Sequence, residues 1–113
     1  MTHMYHMADR DDWNAAVKSG AYEGTPMDKA DGYIHFSTAQ TLVESAAKHR
    51  KGITNLLLIT VQSEVLGDMV KWEEARGGIL FPHLYGALDP SLVLNVEDLP
   101  VGDDGLHIFP ELS

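Results

Sequence analysis

The chain has 113 residues with 17 acidic against 8 basic side chains, so it is too short for two domains, and its formal charge of -9 argues against a nucleic-acid partner. A hydrophobic content of 44% with 22% charged residues is typical of one folded globular domain and excludes a disordered or fibrous chain. The absence of cysteine excludes disulfides, thiolate metal sites and a cysteine nucleophile.

No segment of the sequence has the length and apolar character of a membrane span or a signal peptide. The longest apolar run is Leu56 to Ile59, and residues 1–10 contain no apolar core of a leader. We therefore expect a cytoplasmic protein that has no membrane partner. No repeat or linker divides the sequence, so residues 1–113 are predicted to form a single domain, and the oligomeric state is left open.

The first predicted elements are a short strand and a helix. Met4 to Met7 predicts the strand, and Asp9 is the expected N-cap of a helix over about 10–19. Gly20 is expected to end this helix. Its predicted buried residues are Trp13, Ala16 and Val17.

The next stretch, residues 21–31, predicts a loop because it contains Gly24 and Pro26 and shows no periodicity. A loop of this length can fold over a ligand, so it is the candidate for a lid. After it, Tyr33 to Phe36 alternates like a strand. The strand is expected to pass directly into the next helix.

That second helix is predicted from Ser37 to about His49. Ser37 precedes Gln40 by three positions, which is the spacing of a capping box. The free N–H groups of the first helical turn would then lie beside His35, where they favour an anion such as a phosphate or carboxylate.

The second half of the chain predicts strands. Asn55 to Val61 is apolar and rich in branched residues, so it is expected to be a central strand covered on both faces. Met69 to Glu73 and Leu92 to Glu97 predict two further strands. Between them, Ile79 to Gly86 is a segment rich in apolar and aromatic residues. Several strands interleaved unevenly with two main helices favour the α+β class.

Three segments place histidine beside aromatic residues within apolar patterns. Imidazole can donate, accept, carry a proton near neutral pH or bind a metal, and aromatic rings can stack on a flat ligand. We therefore expect these segments to line one polar pocket. They are Tyr5-His6, Tyr33-Ile34-His35-Phe36-Ser37-Thr38 and Phe81-Pro82-His83-Leu84-Tyr85-Gly86.

Each candidate also has a structural interpretation. His35 is a ligand contact or a half-buried strand histidine bonded to a backbone carbonyl, and these two are equally well supported. For Ser37, the role of a helix cap is preferred over that of a ligand contact. His6 is a pocket residue or a solvent-facing side chain of an edge strand. His83, which follows a proline, is a pocket residue or part of a rigid structural turn that includes Tyr85.

Glu73 is a candidate acid–base residue because it follows Trp72 at the end of a predicted strand. A carboxylate beside an aromatic wall can have a raised pKa and can act as a general base or accept from a ribose hydroxyl. Neighbouring Glu74 and Arg76 support the alternative, which is a solvated loop.

The whole pattern resembles the family called domain of unknown function 952. The resemblance covers about residues 4–96 and leaves 97–113 as a C-terminal extension. Because that family is grouped with the ADP-ribosylation superfamily, the resemblance implies the ADP-ribosylation fold. This fold has a split antiparallel or mixed sheet around a NAD-binding cleft, with two main helices. The motifs are Tyr5-His6, Asp31-Gly32-Tyr33-Ile34-His35-Phe36-Ser37-Thr38-Ala39-Gln40, Trp72-Glu73 and Phe81-Pro82-His83-Leu84-Tyr85-Gly86.

The resemblance also implies roles for individual residues. His6 and His35 match the two histidines of the superfamily's RNA 2'-phosphotransferases, so His6 would face the adenosine or nicotinamide end and His35 would bond a ribose hydroxyl. Glu73 would correspond to the superfamily's catalytic glutamate. Because no arginine lies in a matching motif, RNA phosphate transfer is not expected. Rings available for stacking would be Tyr33, Phe36 and Tyr85.

Three functions follow, in order of preference. The first is binding of NAD or another ADP-ribose-containing nucleotide, with ADP-ribosyl transfer or hydrolysis as the chemistry and His35, His83 and Glu73 as catalytic residues. The second is a non-catalytic module that binds a metabolite or a protein. The third is a metal hydrolase with His6, His35 and His83 as ligands. The expected ligand-binding set is His6, Tyr33, His35, Ser37, Thr38, Phe81, His83 and Tyr85.

Overall fold

Two three-stranded antiparallel sheets form the framework of the protein. The computed structural model describes residues 2–112, apart from the side chain of Arg76. The α+β class is confirmed, and every strand pairing is antiparallel. The first sheet has the order β1-β3-β6, with β1 at His3–Asp9, β3 at Leu56–Gln62 and β6 at Asn95–Leu99. The second has the order β2-β5-β4, with β2 at Ile34–His35, β5 at Leu80–Leu84 and β4 at Val70–Glu74.

Within residues 2–112 three α-helices accompany the sheets: α1 at Arg10–Ser19, α2 at Pro26–Asp31 and α3 at Leu42–His49. Short 3₁₀ segments occur at Ser63–Met69, Arg76–Gly78 and Pro90–Leu92. Within residues 2–112, none of the helices has both the length and the apolar character that a membrane span requires.

The central position of β3 is confirmed. Its first six residues are buried, as expected of a strand with both faces covered. On one face Ile59 packs into the larger core with Trp13 and Phe36. On the other, Leu58 packs against Leu42 of α3.

Helix α1 begins and ends where the sequence predicts. Asp9 caps it by accepting from two first-turn N–H groups, and Gly20 ends it in the left-handed conformation with φ 89°. Trp13 is buried as expected. The predicted burial of Val17 is wrong, since this side chain is 54% exposed at the rim of an open groove that also contains residues 93–96.

The second half of the predicted loop over 21–31 is a helix, so that part of the prediction is wrong. Thr25 and Asp28 form a capping box around the first turn of α2: the Asp28 N–H donates to Thr25 Oγ1 at 3.2 Å, and the Thr25 N–H donates to Asp28 Oδ2 at 2.8 Å. Pro26 occupies the first turn, where its missing N–H costs nothing. Threonine, proline and an acidic residue at this spacing are typical of the start of a helix.

Ser37 is not a helix cap, and that prediction is wrong. Helix α3 starts at Leu42, and Ser37 instead forms an antiparallel bridge with Tyr5 of β1, with both N–H to O distances at 2.8 Å. This bridge satisfies the backbone groups of Ser37 in an extended conformation and links the two sheets. His35 therefore does not lie at a helix N-terminus, so the predicted anion site at such a terminus is absent.

The segment around His83 is a strand and not a turn, which corrects the structural alternative given above. In β5, Leu84 points into the core, and His83 lies on the opposite face, directly across from His35 of β2. The neighbouring strands start slightly later than predicted, at Val70 for β4 and at Asn95 for β6.

Candidate functional site

A cleft of about 240 Å³ lies where the two sheets meet. The fold brings His6, His35 and His83, which are distant in the chain, to the lining of this cleft from β1, β2 and β5. Its apolar lining includes Met7, Met27, Phe36 and Phe81, and its polar lining includes Tyr5, Asp28, Ser37, Ser45, His49 and Arg50.

His6 is fixed inside the protein and is not available as a solvent-facing residue, so that alternative is wrong. The side chain is buried, and its Nδ1–H donates to the carbonyl oxygen of His35 at 2.7 Å. Because a carbonyl can only accept, the neutral ring has its lone pair on Nε2, which accepts from the hydroxyl of Tyr22 at 2.7 Å. Burial lowers the pKa of His6, which favours this neutral form.

His35 is held between two carboxylates. Its Nδ1 lies 2.5 Å from Asp28 Oδ1, and its Nε2 lies 3.1 Å from Asp31 Oδ2. Since both ring nitrogens face carboxylate oxygens, both donate and the ring is an imidazolium. The hydrogen bond to Asp28 raises the pKa of His35. Although burial alone raises the pKa of Asp28, the hydrogen bond from His35 holds that pKa below its ordinary value.

Asp28 is the buried centre of this arrangement, and the sequence analysis missed it. Its carboxylate also accepts from the backbone N–H of His35 at 3.1 Å, in addition to the capping bond from Thr25. The chain wraps closely around it at Gly24, where φ is +96° and a Cβ would lie 2.6 Å from Asp28 Oδ2. Only glycine fits at that position.

His83 is oriented by a carboxylate on the neighbouring strand. Glu73 Oε1 accepts from the Tyr85 hydroxyl at 2.6 Å and from His83 Nδ1 at 2.8 Å. With Nδ1 donating, neutral His83 has its lone pair on Nε2, which has no hydrogen-bond partner among the described residues. A carboxylate that fixes the tautomer of a histidine in this way leaves Nε2 ready to accept a proton.

The predicted raised pKa of Glu73 is wrong. Hydrogen bonds from Tyr85, and then from His83, lower the pKa of Glu73, and the bond to Glu73 raises the pKa of Tyr85 to about 12. The side chain of Glu73 is also partly exposed and does not line the cleft. It is therefore suited to orient His83 and is not suited to act as the base itself.

The predicted ligand set divides into two groups. His6, His35, Ser37, Phe81 and His83 line the cleft, whereas Tyr33, Thr38 and Tyr85 do not. Tyr33 stacks on the His83 ring with centroids 4.2 Å apart and lies 5.1 Å from the ring of Tyr85. Thr38 contacts Thr41 at the start of α3, because its N–H donates to Thr41 Oγ1 at 3.0 Å.

A metal centre built on the three histidines does not match this geometry. Both nitrogens of His6 are occupied by protein partners, so no lone pair of that ring is directed at a metal. Across residues 2–112 no group of three or more His, Asp or Glu side chains is arranged to hold a metal ion.

The paired charges of His35 and Asp28 predict a pH-dependent stability. Because the pKa of His35 is raised above 6.5 in the folded state, its contribution is complete below that pH and is lost as the pH rises through the folded pKa. Asp28, whose pKa is lowered from 3.8, contributes above that pH and loses its contribution as the pH falls through the folded pKa.

We expect the difference in unfolding free energy between the wild type and His35→Gln to shrink between about pH 6 and pH 9, measured by urea denaturation. The opposite pH dependence of His6, whose pKa is lowered from 6.5, acts mainly below this range. A difference that stays constant over this range would show that folding does not raise the pKa of His35.

Comparison with known proteins now gives the family. The model for proteins of unknown function named DUF952 matches residues 7–96. The chain belongs to this family. The match confirms the predicted resemblance over most of its length, and it includes His35 and His83 but begins just after His6. No curated protein matches the chain.

This DUF952 chain is also similar to solved structures of protein CC0527 from Caulobacter crescentus. The crystal structure of that protein is 43% identical, with a TM-score of 0.92, and the match covers 95% of this chain and 94% of that chain. The solution NMR structure is 44% identical, with a TM-score of 0.83, and the match covers 94% and 91%.

Proposed function

We propose that the histidine cleft of this DUF952 protein binds an ADP-ribose-containing nucleotide, either NAD or ADP-ribose. The observation that carries the proposal is the pairing of two different imidazoles across β2 and β5. His35 is a charged donor and His83 presents an acceptor nitrogen, with ring centroids 5.4 Å apart. Such a pair suits a ligand whose hydroxyl groups can accept from His35. It also suits a ligand with a leaving group that is displaced while His83 takes a proton.

The arrangement of the sheets supports the same ligand class. Two antiparallel sheets are linked at the bridge between Tyr5 and Ser37, and the cleft lies at that junction. A split sheet around a cleft is the architecture that the resemblance to the ADP-ribosylation superfamily implies. We propose on this basis that the DUF952 fold is a variant of that architecture.

The cleft, with a volume of about 240 Å³, is smaller than ordinary ligand pockets. We therefore place one end of the dinucleotide inside it, with the ring against Phe36 and Phe81. A ribose hydroxyl would accept from His35 Nε2 in place of Asp31, whose side chain is 46% exposed and free to move away. The rest of the ligand would lie along the open mouth.

The proposed reaction is hydrolysis or transfer at the nicotinamide ribose. A water or acceptor hydroxyl attacks C1', the C1'–N bond breaks, and nicotinamide leaves with the bonding electron pair. His83 Nε2 takes the proton of the attacking oxygen, and Glu73 stabilises the imidazolium that forms. The carboxylate of Asp28 neutralises the His35 imidazolium, so that the charge of His35 does not oppose positive charge on the ribose.

Isothermal titration calorimetry with NAD and ADP-ribose tests binding. We expect saturable heat with the wild type, at least about tenfold weaker binding with His35→Gln, and unchanged binding with His3→Gln, a histidine outside the cleft. Binding without release of nicotinamide would favour the non-catalytic metabolite-binding module. No heat with the wild type at millimolar ligand would end the nucleotide proposal.

A further inference from the structure

Arg50 lies at the cleft with most of its donors unused. It follows α3 as the C-cap residue, is partly buried and lines the cleft. Among the described residues the guanidinium donates one hydrogen bond, and this bond is long, 3.4 Å from Nη2 to the carbonyl oxygen of Met7. Within residues 2–112, no carboxylate forms an ion pair with it.

Partial burial distinguishes Arg50 from the other described cations that have no ion pair, because Lys18, Lys29, Lys51 and Lys71 are all exposed. Arg10, which is also partly buried, pairs with Asp98. A guanidinium has five N–H donors and cannot lose its charge in a protein. Partial burial without a carboxylate partner therefore leaves guanidinium donors available to an anion that enters the cleft.

Arg50 lies close enough to His6 for its charge to influence the pKa of that residue. Burial lowers the pKa of His6, and the nearby charge of Arg50 acts in the same direction. Ser37 and Ser45 add hydroxyl groups to the lining of the same cleft. A planar fork of donors beside hydroxyls suits the several oxygens of a phosphate group.

We propose that Arg50 is the phosphate-binding residue of the cleft and that the natural ligand is a phosphate ester or pyrophosphate. The inference rests on one part of the proposed function, which is that the cleft binds a ligand. It adds the substrate class: Arg50 selects phosphorylated ligands over free nucleosides and over nicotinamide.

The test uses NMR of the Arg50 Nε–H resonance together with calorimetry, with sodium pyrophosphate, acetate, ADP-ribose and adenosine as probes. The variants are Arg50→Gln and Arg50→Lys. The matched control is Lys51→Gln, which makes the same charge change one residue later and outside the cleft.

We expect pyrophosphate to shift the wild-type Arg50 resonance and to bind Arg50→Gln at least about tenfold more weakly. Arg50→Lys should fall between the two, because lysine keeps the charge but not the fork. Lys51→Gln should match the wild type, and adenosine should bind all four proteins equally. Acetate as effective as pyrophosphate would contradict the selection of phosphate.

Two outcomes separate this inference from the nucleotide proposal. Pyrophosphate binding at Arg50 without any binding of NAD or ADP-ribose would keep the phosphate site and remove the nucleotide. ADP-ribose binding that Arg50→Gln does not weaken would keep the nucleotide and overturn the role of Arg50. An unshifted wild-type resonance at tens of millimolar pyrophosphate would also overturn it, whatever the variants do.

Discussion

Asp28→Asn is expected to lower the free energy of unfolding by about 3 kcal/mol. The substitution keeps the shape of the side chain but removes the charge that holds the His35 imidazolium, and it directs an amide group at donors that require an acceptor. The Asp28 side chain is only 1% exposed, so water cannot replace the lost partner. Urea denaturation at about pH 6, where His35 is charged, measures the effect.

The matched control for this prediction is Asp31→Asn. Asp31 bonds the other nitrogen of the same imidazole from the same helix, but its side chain is 46% exposed. Its removal is expected to cost at most about 1 kcal/mol, since water replaces an exposed partner. If the two variants lose the same stability, the buried carboxylate is not the centre of the site.

His83→Gln is expected to reduce the rate of nicotinamide release from NAD by a factor of about 100 or more. Glutamine retains a donor toward Glu73 but has no nitrogen that can take a proton from the attacking oxygen. Ground-state binding should change only a few-fold, because the proposed role of His83 is in the chemical step. Single-turnover assays of nicotinamide release, with affinity measured separately, separate these two effects.

Tyr85→Phe is the control for the His83 prediction. It removes one donor from Glu73 and leaves the bond between Glu73 and His83 in place. We expect less than about a tenfold loss of rate, since His83 keeps its orientation. A rate of release in His83→Gln equal to that of the wild type would exclude His83 as the base.

Local patterns in the sequence were sufficient for much of the fold. Helix α1 has its acidic cap at Asp9 and its glycine end at Gly20, and the apolar run of β3 indicates burial on both faces. These signals act over a few residues, so no knowledge of the tertiary structure was needed. Helix α2 has an equally local signal in the capping box from Thr25 to Asp28, which the predicted loop over residues 21–31 does not include.

The errors arose where a distant segment decides the local structure. Ser37 has the spacing of a cap, but pairing with Tyr5 extends the chain there and delays α3. Glu73 has an aromatic neighbour, but the donors that set its pKa lie on β5 and just beyond it. A single sequence contains no pairing register, so neither result was predictable from local pattern.

The candidate site was predictable only in part, for the same reason. His6, His35 and His83 stand out because titratable residues interrupt apolar strands. Asp28 belongs to the capping box of α2, and Arg50 is the C-cap residue of α3, so both fit ordinary helical patterns. Only the folded chain shows that they line the same cleft. The sequence thus identifies the imidazoles but not the charges that control them.

The most direct test of a shared ligand site is a ¹⁵N NMR titration of the imidazole resonances with ADP-ribose. The arrangement predicts that His35 and His83 shift along one saturation curve, that His6 stays neutral with its proton on Nδ1, and that His3 and His107 do not shift. Unchanged His35 and His83 resonances at millimolar ADP-ribose, or shifts of the two that follow different curves, would contradict a single ligand-binding cleft.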